Sequence, residues 1–347
     1  MTGTAPASRG GASDARPGRT FRVIRNPAAG IASALTPGGG SAAAIAELLG
    51  RHGIAAEVLE PEDEAAAHVA VRQAVADGVD VVVSAGGDGT THLVVAGLIG
   101  THTALGILPL GRVMNIARSL GIDRDLDVAA EILGTGRVLT MDVGEATTAD
   151  GRSVRFLEAG SVGMNAAIFR QVARIDSGDL RSVLRTIWVA LRYRPARMTI
   201  ELDDEVVRTR ALMVSVSIGP YLGLGMTVAP EARLDDGRFD VHVFRRFSKL
   251  ELLRHLASIA FGRRRYAPQV SSYRSATVRI SSVRPLPARA DSFDLGSTPV
   301  GFRTLAGALR VVAPTDDART AGAGSGGADR QAAGGGSSGS ASGRRRM

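Results

Sequence analysis

Apolar positions follow different patterns in the two halves of the chain. From residue 20 to about 143, short runs of consecutive apolar residues alternate with stretches where apolar residues recur three or four positions apart. The runs at 21–25, 55–59, 79–85 and 104–108 predict strands, and the periodic stretches at 42–51, 64–76, 90–98, 114–120 and 126–133 predict helices. Strands alternating with helices predict a parallel sheet covered on both faces. From about residue 138 the texture changes. Runs at 198–202, 211–218, 239–244, 276–280 and 308–312 are strand-like with turn residues between them, and helical stretches near 165–193 and 248–262 interrupt them. That pattern predicts a second, mostly antiparallel domain. Residues 1–19 and 315–347 are rich in Gly, Ala, Ser and Arg without periodicity, and read as disordered tails.

Composition narrows the chemistry. A length of 347 residues fits two domains, and 44% hydrophobic residues supply a sizeable core. There is no cysteine, which removes disulfides, thiolate metal sites and thiol nucleophiles. Lys249 is the only lysine, and it stands in neither a Walker A loop nor a protein-kinase strand. Two common ATP-site architectures are therefore excluded. The net charge of +8 is local: residues 181–197 carry +5, residues 244–266 carry +6, and the chain outside these stretches and the tails is acidic. Such clustering predicts a docking face rather than a nucleic-acid binder. No apolar run approaches the ~20 residues of a membrane span, and no secretory signal is visible. The expectation is a soluble cytoplasmic chain that touches the inner face of a membrane peripherally.

The sharpest signal is Val81-Val82-Val83-Ser84-Ala85 followed by Gly86-Gly87-Asp88-Gly89-Thr90 and an apolar helix. A strand, a glycine-rich turn and a helix N-terminus together make an anion site. A carboxylate inside such a cradle suits a metal-linked polyphosphate, since alone it would repel the ligand. The same letters also suit a plain strand–helix turn capped by Asp88. They do not form a Gly-x-Gly-x-x-Gly fingerprint, which disfavours a dinucleotide oxidoreductase.

Further segments carry a resemblance. Gly86–Thr90 resembles the nucleotide loop of diacylglycerol kinases, sphingosine kinases and NAD kinases. The Asn26-Pro27-Ala28-Ala29-Gly30 turn, the Leu105–Gly111 segment running on through Asn115 and Arg118, Asp142-Val143-Gly144, Ala229-Pro230 with Leu234-Asp235-Asp236-Gly237, and Thr298-Pro299 match the rest of the pattern in order. The chain resembles the bacterial branch of the diacylglycerol kinase catalytic family over residues ~21 to ~314. The resemblance implies a Rossmann-like nucleotide-binding domain at 20–143, to which 300–314 returns, and a β-rich lipid-substrate domain at 144–299. It implies an ATP-dependent lipid kinase using Mg2+, with a diacylglycerol-like acceptor. Carried over by position, Asn26, Gly86, Gly87, Asp88, Gly89, Thr90, Thr91, His92, Gly111, Arg112 and Asn115 hold the nucleotide. Asp88 and Asp142 belong to a carboxylate network around magnesium, and Asp291 is the base. Asp236, with the carbonyls of Arg233 and Arg238, matches a second, structural magnesium site; Asp236-Gly237 also suits an ordinary hairpin turn.

Several positions depart from the pattern. His92 and Leu93 stand where the family usually has Asn-Glu, and Arg112 replaces a threonine of the second segment. The closing Asp-Gly-Glu triplet reads Asp291-Ser292-Phe293, so the aspartate survives and the glutamate is lost. Two alternatives follow: a family member that binds nucleotide or lipid with little turnover, and an NAD kinase. The basic stretches fit amphipathic helices packed on the second domain, and equally an anionic membrane surface with Trp188 or Phe261 at headgroup level. A homodimer is left open, and no nucleic-acid partner is expected.

Overall fold

The computed structural model describes residues 18–26, 41–172, 188, 192–222, 226–245 and 270–315. The expected helix at 248–262, most of that at 165–193, and nearly all of both tails lie outside these residues.

The first half alternates as β1 (Phe21–Arg25), α1 (Ala42–Arg51), β2 (Ala56–Leu59), α2 (Glu64–Ala76), β3 (Val81–Gly86), α3 (Asp88–Leu98), β4 (Ala104–Pro109), α4 (Asn115–Ser119) and α5 (Leu126–Thr135). Three of these helices, α1, α2 and α5, begin where short polar side chains satisfy the first free amides. Ser41 accepts from Ala44 N at 3.2 Å, Asp63 from Ala66 N at 2.7 Å, and Asp125 from Asp127 N at 2.9 Å. β3 and β4 are buried at every residue, as strands covered on both faces must be. β1 pairs in parallel with β2 and β3, and β3 with β4, giving the parallel layer the pattern predicts.

The second half contributes β5 (Arg137–Thr147), β6 (Ser153–Phe156), β7 (Ala159–Gly163), α6 (Met164–Val172), β8 (Ala196–Glu201), β9 (Val206–Ala211), β10 (Met213–Ser217), β11 (Tyr221–Leu222), β12 (Met226–Thr227), β13 (Phe239–Phe244), β14 (Val270–Ser275), β15 (Thr277–Ser282), β16 (Pro287–Ala290), β17 (Phe293–Ser297) and β18 (Val300–Ala313). Long β18 lies parallel to β4 through Val311 and Leu105, and antiparallel to β5 and β15. It joins the parallel layer to an antiparallel wing in the order β2-β1-β3-β4-β18-β15-β8-β9, with β5 and β6 branching from β18. A second, wholly antiparallel sheet runs β14-β13-β10-β7-β16-β17.

The two sheets share one core. Phe156 of β6 stacks on Phe239 of β13 at 5.8 Å and meets Phe302 of β18 edge-on at 6.0 Å. A Cβ on Gly144 would come within 2.3 Å of the Phe156 ring, and one on Gly160 within 2.3 Å of Phe302. Both glycines let an aromatic ring fill the junction. No helix among the described residues is long and apolar enough to cross a membrane.

Candidate active site

The cradle expected at Gly86–Thr90 forms between two strand ends. Gly87 occupies the N-cap of α3, so the first-turn N–H groups, which have no partner within a helix, open outward. The loop after β4 lies directly against it. A Cβ on Gly111 would fall 2.6 Å from Gly87 Cα and 2.7 Å from Met114 Sδ, and one on Gly86 would fall 2.3 Å from Thr90 Oγ1. Only glycine permits this approach. Thr91 supports the turn from below: it is buried, 3.1 Å from Ser84 Oγ and bonded to the Gly87 carbonyl. Its hydroxyl is turned inward, so the nucleotide contact expected of Thr91 is corrected to a structural one. Arg112 and Asn26 are exposed at the rim, while Pro27–Gly30 lie outside the described residues.

Asp88 does not cap its own helix. It stands in the first turn of α3 and reaches across to α4, where its Oδ2 accepts from Met114 N at 3.0 Å. Met114 is held in the left-handed region at φ 52°. Burial raises the pKa of Asp88, against the amide bonds of Met114 and Ile116 that lower it. Asp88 Oδ1 is buried and has no hydrogen-bond partner among the described residues. A buried, unpaired carboxylate oxygen beside an anion cradle is the donor a hard divalent cation takes, so the residues here fit magnesium.

The second domain faces this cradle with a charged cluster. Asp291 lies in the two-residue turn between β16 and β17, at φ 44°. Its carboxylate accepts from the backbone amides of Leu157 at 2.7 Å, Glu158 at 3.1 Å and Ala159 at 2.9 Å, and contacts His92 Nε2 at 3.1 Å. With its lone pairs engaged by three amides and an imidazole, Asp291 orients His92. Burial works against the His92 imidazolium, but the hydrogen bond and charge of Asp291, backed by Glu158 and Asp88, outweigh it and raise the pKa. Phe293, where the pattern has a glutamate, meets the His92 ring edge-on at 6.0 Å.

Two members of this cluster went unnoticed in the sequence. Glu158, between β6 and β7, is buried, and its Oε2 accepts from Asn115 Nδ2 at 2.7 Å. Burial, then the charge of Asp291, push its pKa up to about 8. Arg289 of β16 is buried with its guanidinium 3.3 Å from the Phe169 ring centroid; burial lowers its pKa to about 10. The available signal was a lone charge inside an apolar run: Phe156-Leu157-Glu158-Ala159 and Ala288-Arg289-Ala290. Asn115, which the pattern did name, is what ties this cluster to the cradle.

Asp142 is placed elsewhere. Its carboxylate accepts from Gly237 N at 2.6 Å and Gly307 N at 2.8 Å, pinning the Asp235–Gly237 turn and β18 together. Its carboxylate acts there as a backbone clamp. Asp236 is ion-paired to Arg274 and accepts from Arg238 N at 3.1 Å; Arg233 turns towards Asp235 at 3.5 Å. A magnesium at Asp236 would share that carboxylate with the Arg274 guanidinium.

Residues 20–146 match the diacylglycerol kinase catalytic domain, and residues 159–313 match the YegS C-terminal NAD kinase beta sandwich-like domain. The chain is similar to a diacylglycerol kinase of Staphylococcus saprophyticus, 24% identical over 241 residues covering 68% of this chain and 78% of that protein. It is also similar to one of Staphylococcus aureus, 26% identical over 249 residues covering 70% and 78%. A diacylglycerol kinase structure from Bacillus anthracis shares the fold at TM-score 0.64 and 19% identity, over 86% of this chain and 98% of that one. The chain thus carries, one after the other, a region similar to the diacylglycerol kinase catalytic domain and a region similar to the YegS C-terminal domain.

Proposed function

We propose that this protein transfers the γ-phosphate of ATP to a lipid hydroxyl, with a diacylglycerol-like acceptor. The observation that carries the reading is the opposition of two parts across one cleft. A backbone cradle for polyphosphate lies at Gly86–Gly89 and Gly111, and a buried His92–Asp291–Glu158 cluster faces it, tied to it through Asn115. Phosphoryl transfer asks a protein mainly for positioning and charge neutralisation. The α3 amides hold phosphate oxygens. His92, oriented by Asp291 and favoured as a cation, places positive charge beside the transferring group. Magnesium, held on the nucleotide side by Asp88 Oδ1, would neutralise phosphate charge when bound. Arg289 adds a second buried cation on the acceptor side.

The chain acts, in this reading, at an anionic membrane surface. Trp188 is 56% exposed, and Arg192 lies 4.6 Å from its ring centroid, an amphipathic pairing suited to a headgroup layer. Incubation with labelled ATP, magnesium and a total lipid extract tests the function. A labelled phospholipid is expected. Label on added NAD instead, or no transfer while ATP still binds, overturns the reading.

A further inference from the structure

We propose that Glu158 takes the proton of the acceptor hydroxyl in this chain, in place of the carboxylate that Phe293 removes. The inference rests on the lipid-kinase reading above and names a residue to which the sequence pattern gives no role.

Position is the first argument. The main chain at Glu158 is locked from both sides. Its N–H donates to Asp291 at 3.1 Å, and its carbonyl accepts from Ile218 N at 2.9 Å and Gly219 N at 3.3 Å. With the backbone fixed, the side chain crosses from the second domain to the first. It is held there by Asn115 Nδ2 at the start of α4, inside the second nucleotide segment. The carboxylate thus stands where cradle and lipid domain meet, with Oε2 bonded to Asn115.

Elimination is the second argument. Asp291 is committed to three amides and His92. Asp142 is committed to Gly237 and Gly307, Asp236 to Arg274, and Asp88 belongs to the nucleotide side. Asp294, next along the strand, is paired to Arg170 at the surface. Of the carboxylates at or beside the site among the described residues, that leaves Glu158, which bridges the two domains through Asn115.

Environment is the third. The charged groups around Glu158 are Asp88 and His92 from α3, Asp291 from the β16–β17 turn, and Arg289 from β16. Together with burial they bring its proton affinity near neutral pH, where a general base works best. The step then balances. The acceptor O–H bond breaks and its proton passes to Glu158. The oxygen forms its bond to the γ-phosphorus, and the bond from that phosphorus to ADP breaks, ADP leaving with the electron pair. Glu158 later releases the proton to solvent.

The rival is a structural latch through Asn115, and Glu158→Gln separates the two because a glutamine oxygen still accepts from Asn115. If Glu158 is the base, kcat falls by about 10²–10⁴ while KM for ATP stays within about twofold. The acid limb of the wild-type kcat profile, rising towards a plateau above about pH 8, disappears in the variant. Glu158→Asp, which keeps the carboxylate at shorter reach, recovers part of kcat. A Glu158→Gln enzyme with wild-type kcat overturns the proposal and leaves the latch. So does equal loss in both variants accompanied by loss of ATP binding. A wild type that phosphorylates no lipid sinks the function first and this role with it; an active wild type with an active glutamine variant sinks only the role.

Discussion

The two walls of the cleft are built on opposite principles. The nucleotide wall is backbone from the two loops that follow β3 and β4: Gly86 and Gly111 work by lacking side chains, and Asp88 adds one carboxylate. The acceptor wall is made of side chains drawn from far apart. His92, Glu158, Arg289 and Asp291 come from α3, the β6–β7 connection, β16 and the β16–β17 turn, and the pKa shifts of the first three arise from burial and neighbouring charge combined. The comparison teaches that the first wall fails by crowding and the second by lost partners.

The largest effect belongs to the acceptor wall. Asp291→Ala orphans three buried amides and frees His92, which predicts a loss of about 3–5 kcal/mol and no residual transfer. Urea unfolding measures it. Unchanged stability would mean that Asp291 is a chemical group rather than the anchor described. The nucleotide wall breaks next. In Gly111→Ala the new methyl meets Gly87 Cα, a main-chain atom that cannot rotate away. KM for ATP should rise about 10²-fold, equivalent to ~2.7 kcal/mol, with a stability cost of about 1–3 kcal/mol. ATP titration of the folded variant checks this. Normal ATP binding would separate the two loops and remove the cradle.

The same contrast explains what was legible in the sequence. Gly86–Thr90 sits between a buried strand and a helix, so local letters carry its geometry. Most strands of the first half lie within a residue or two of their expected bounds for the same reason. The second half was legible as strands, but the fusion of β18, β15, β8 and β9 with the parallel layer depends on long-range pairing, which no local period encodes. Asp291 was found by position but its anchoring was not, because the three amides that occupy it belong to residues 157–159, more than 130 positions away. Glu158 was missed because nothing in Leu157-Glu158-Ala159 says that the strand ends inside a cleft. Its chemistry is created by burial.

A third prediction sharpens the side-chain half of the comparison. Unfolded, Glu158 gives up its proton near pH 4.5; folded, it holds it to about 8. Between those values folding takes up a proton, so wild-type stability falls as pH rises through the window and levels off above it. Glu158→Gln cannot ionise and lacks this component. It should therefore gain on the wild type from pH 5 to pH 8.5, by at most ~1.4 kcal/mol per pH unit and about 1–3 kcal/mol in all. Paired urea curves at the two pH values measure the gain. Parallel behaviour would show that the buried proton resides on another group.

The smallest effect is expected where the sequence departs most visibly from the pattern it resembles. Phe293 stands in place of a glutamate, and its ring touches His92 only edge-on while 41% of the residue remains exposed. An edge contact of this kind contributes about 0.5–1 kcal/mol, and burial of half a ring little beyond that. Phe293→Ala should therefore lower stability by no more than about 1 kcal/mol. His92 is positioned by Asp291, not by the ring, so kcat should change by less than about threefold, a shift of ~0.6 kcal/mol in the barrier. Deleting a whole phenyl group on the acceptor wall then costs less than adding one methyl at Gly111 on the nucleotide wall. Thermal unfolding and kcat for the two variants, measured side by side, decide it. A loss above about 2 kcal/mol, or a collapse of kcat in Phe293→Ala, would show that the ring closes the acceptor wall against water, and that this wall too works by filling space.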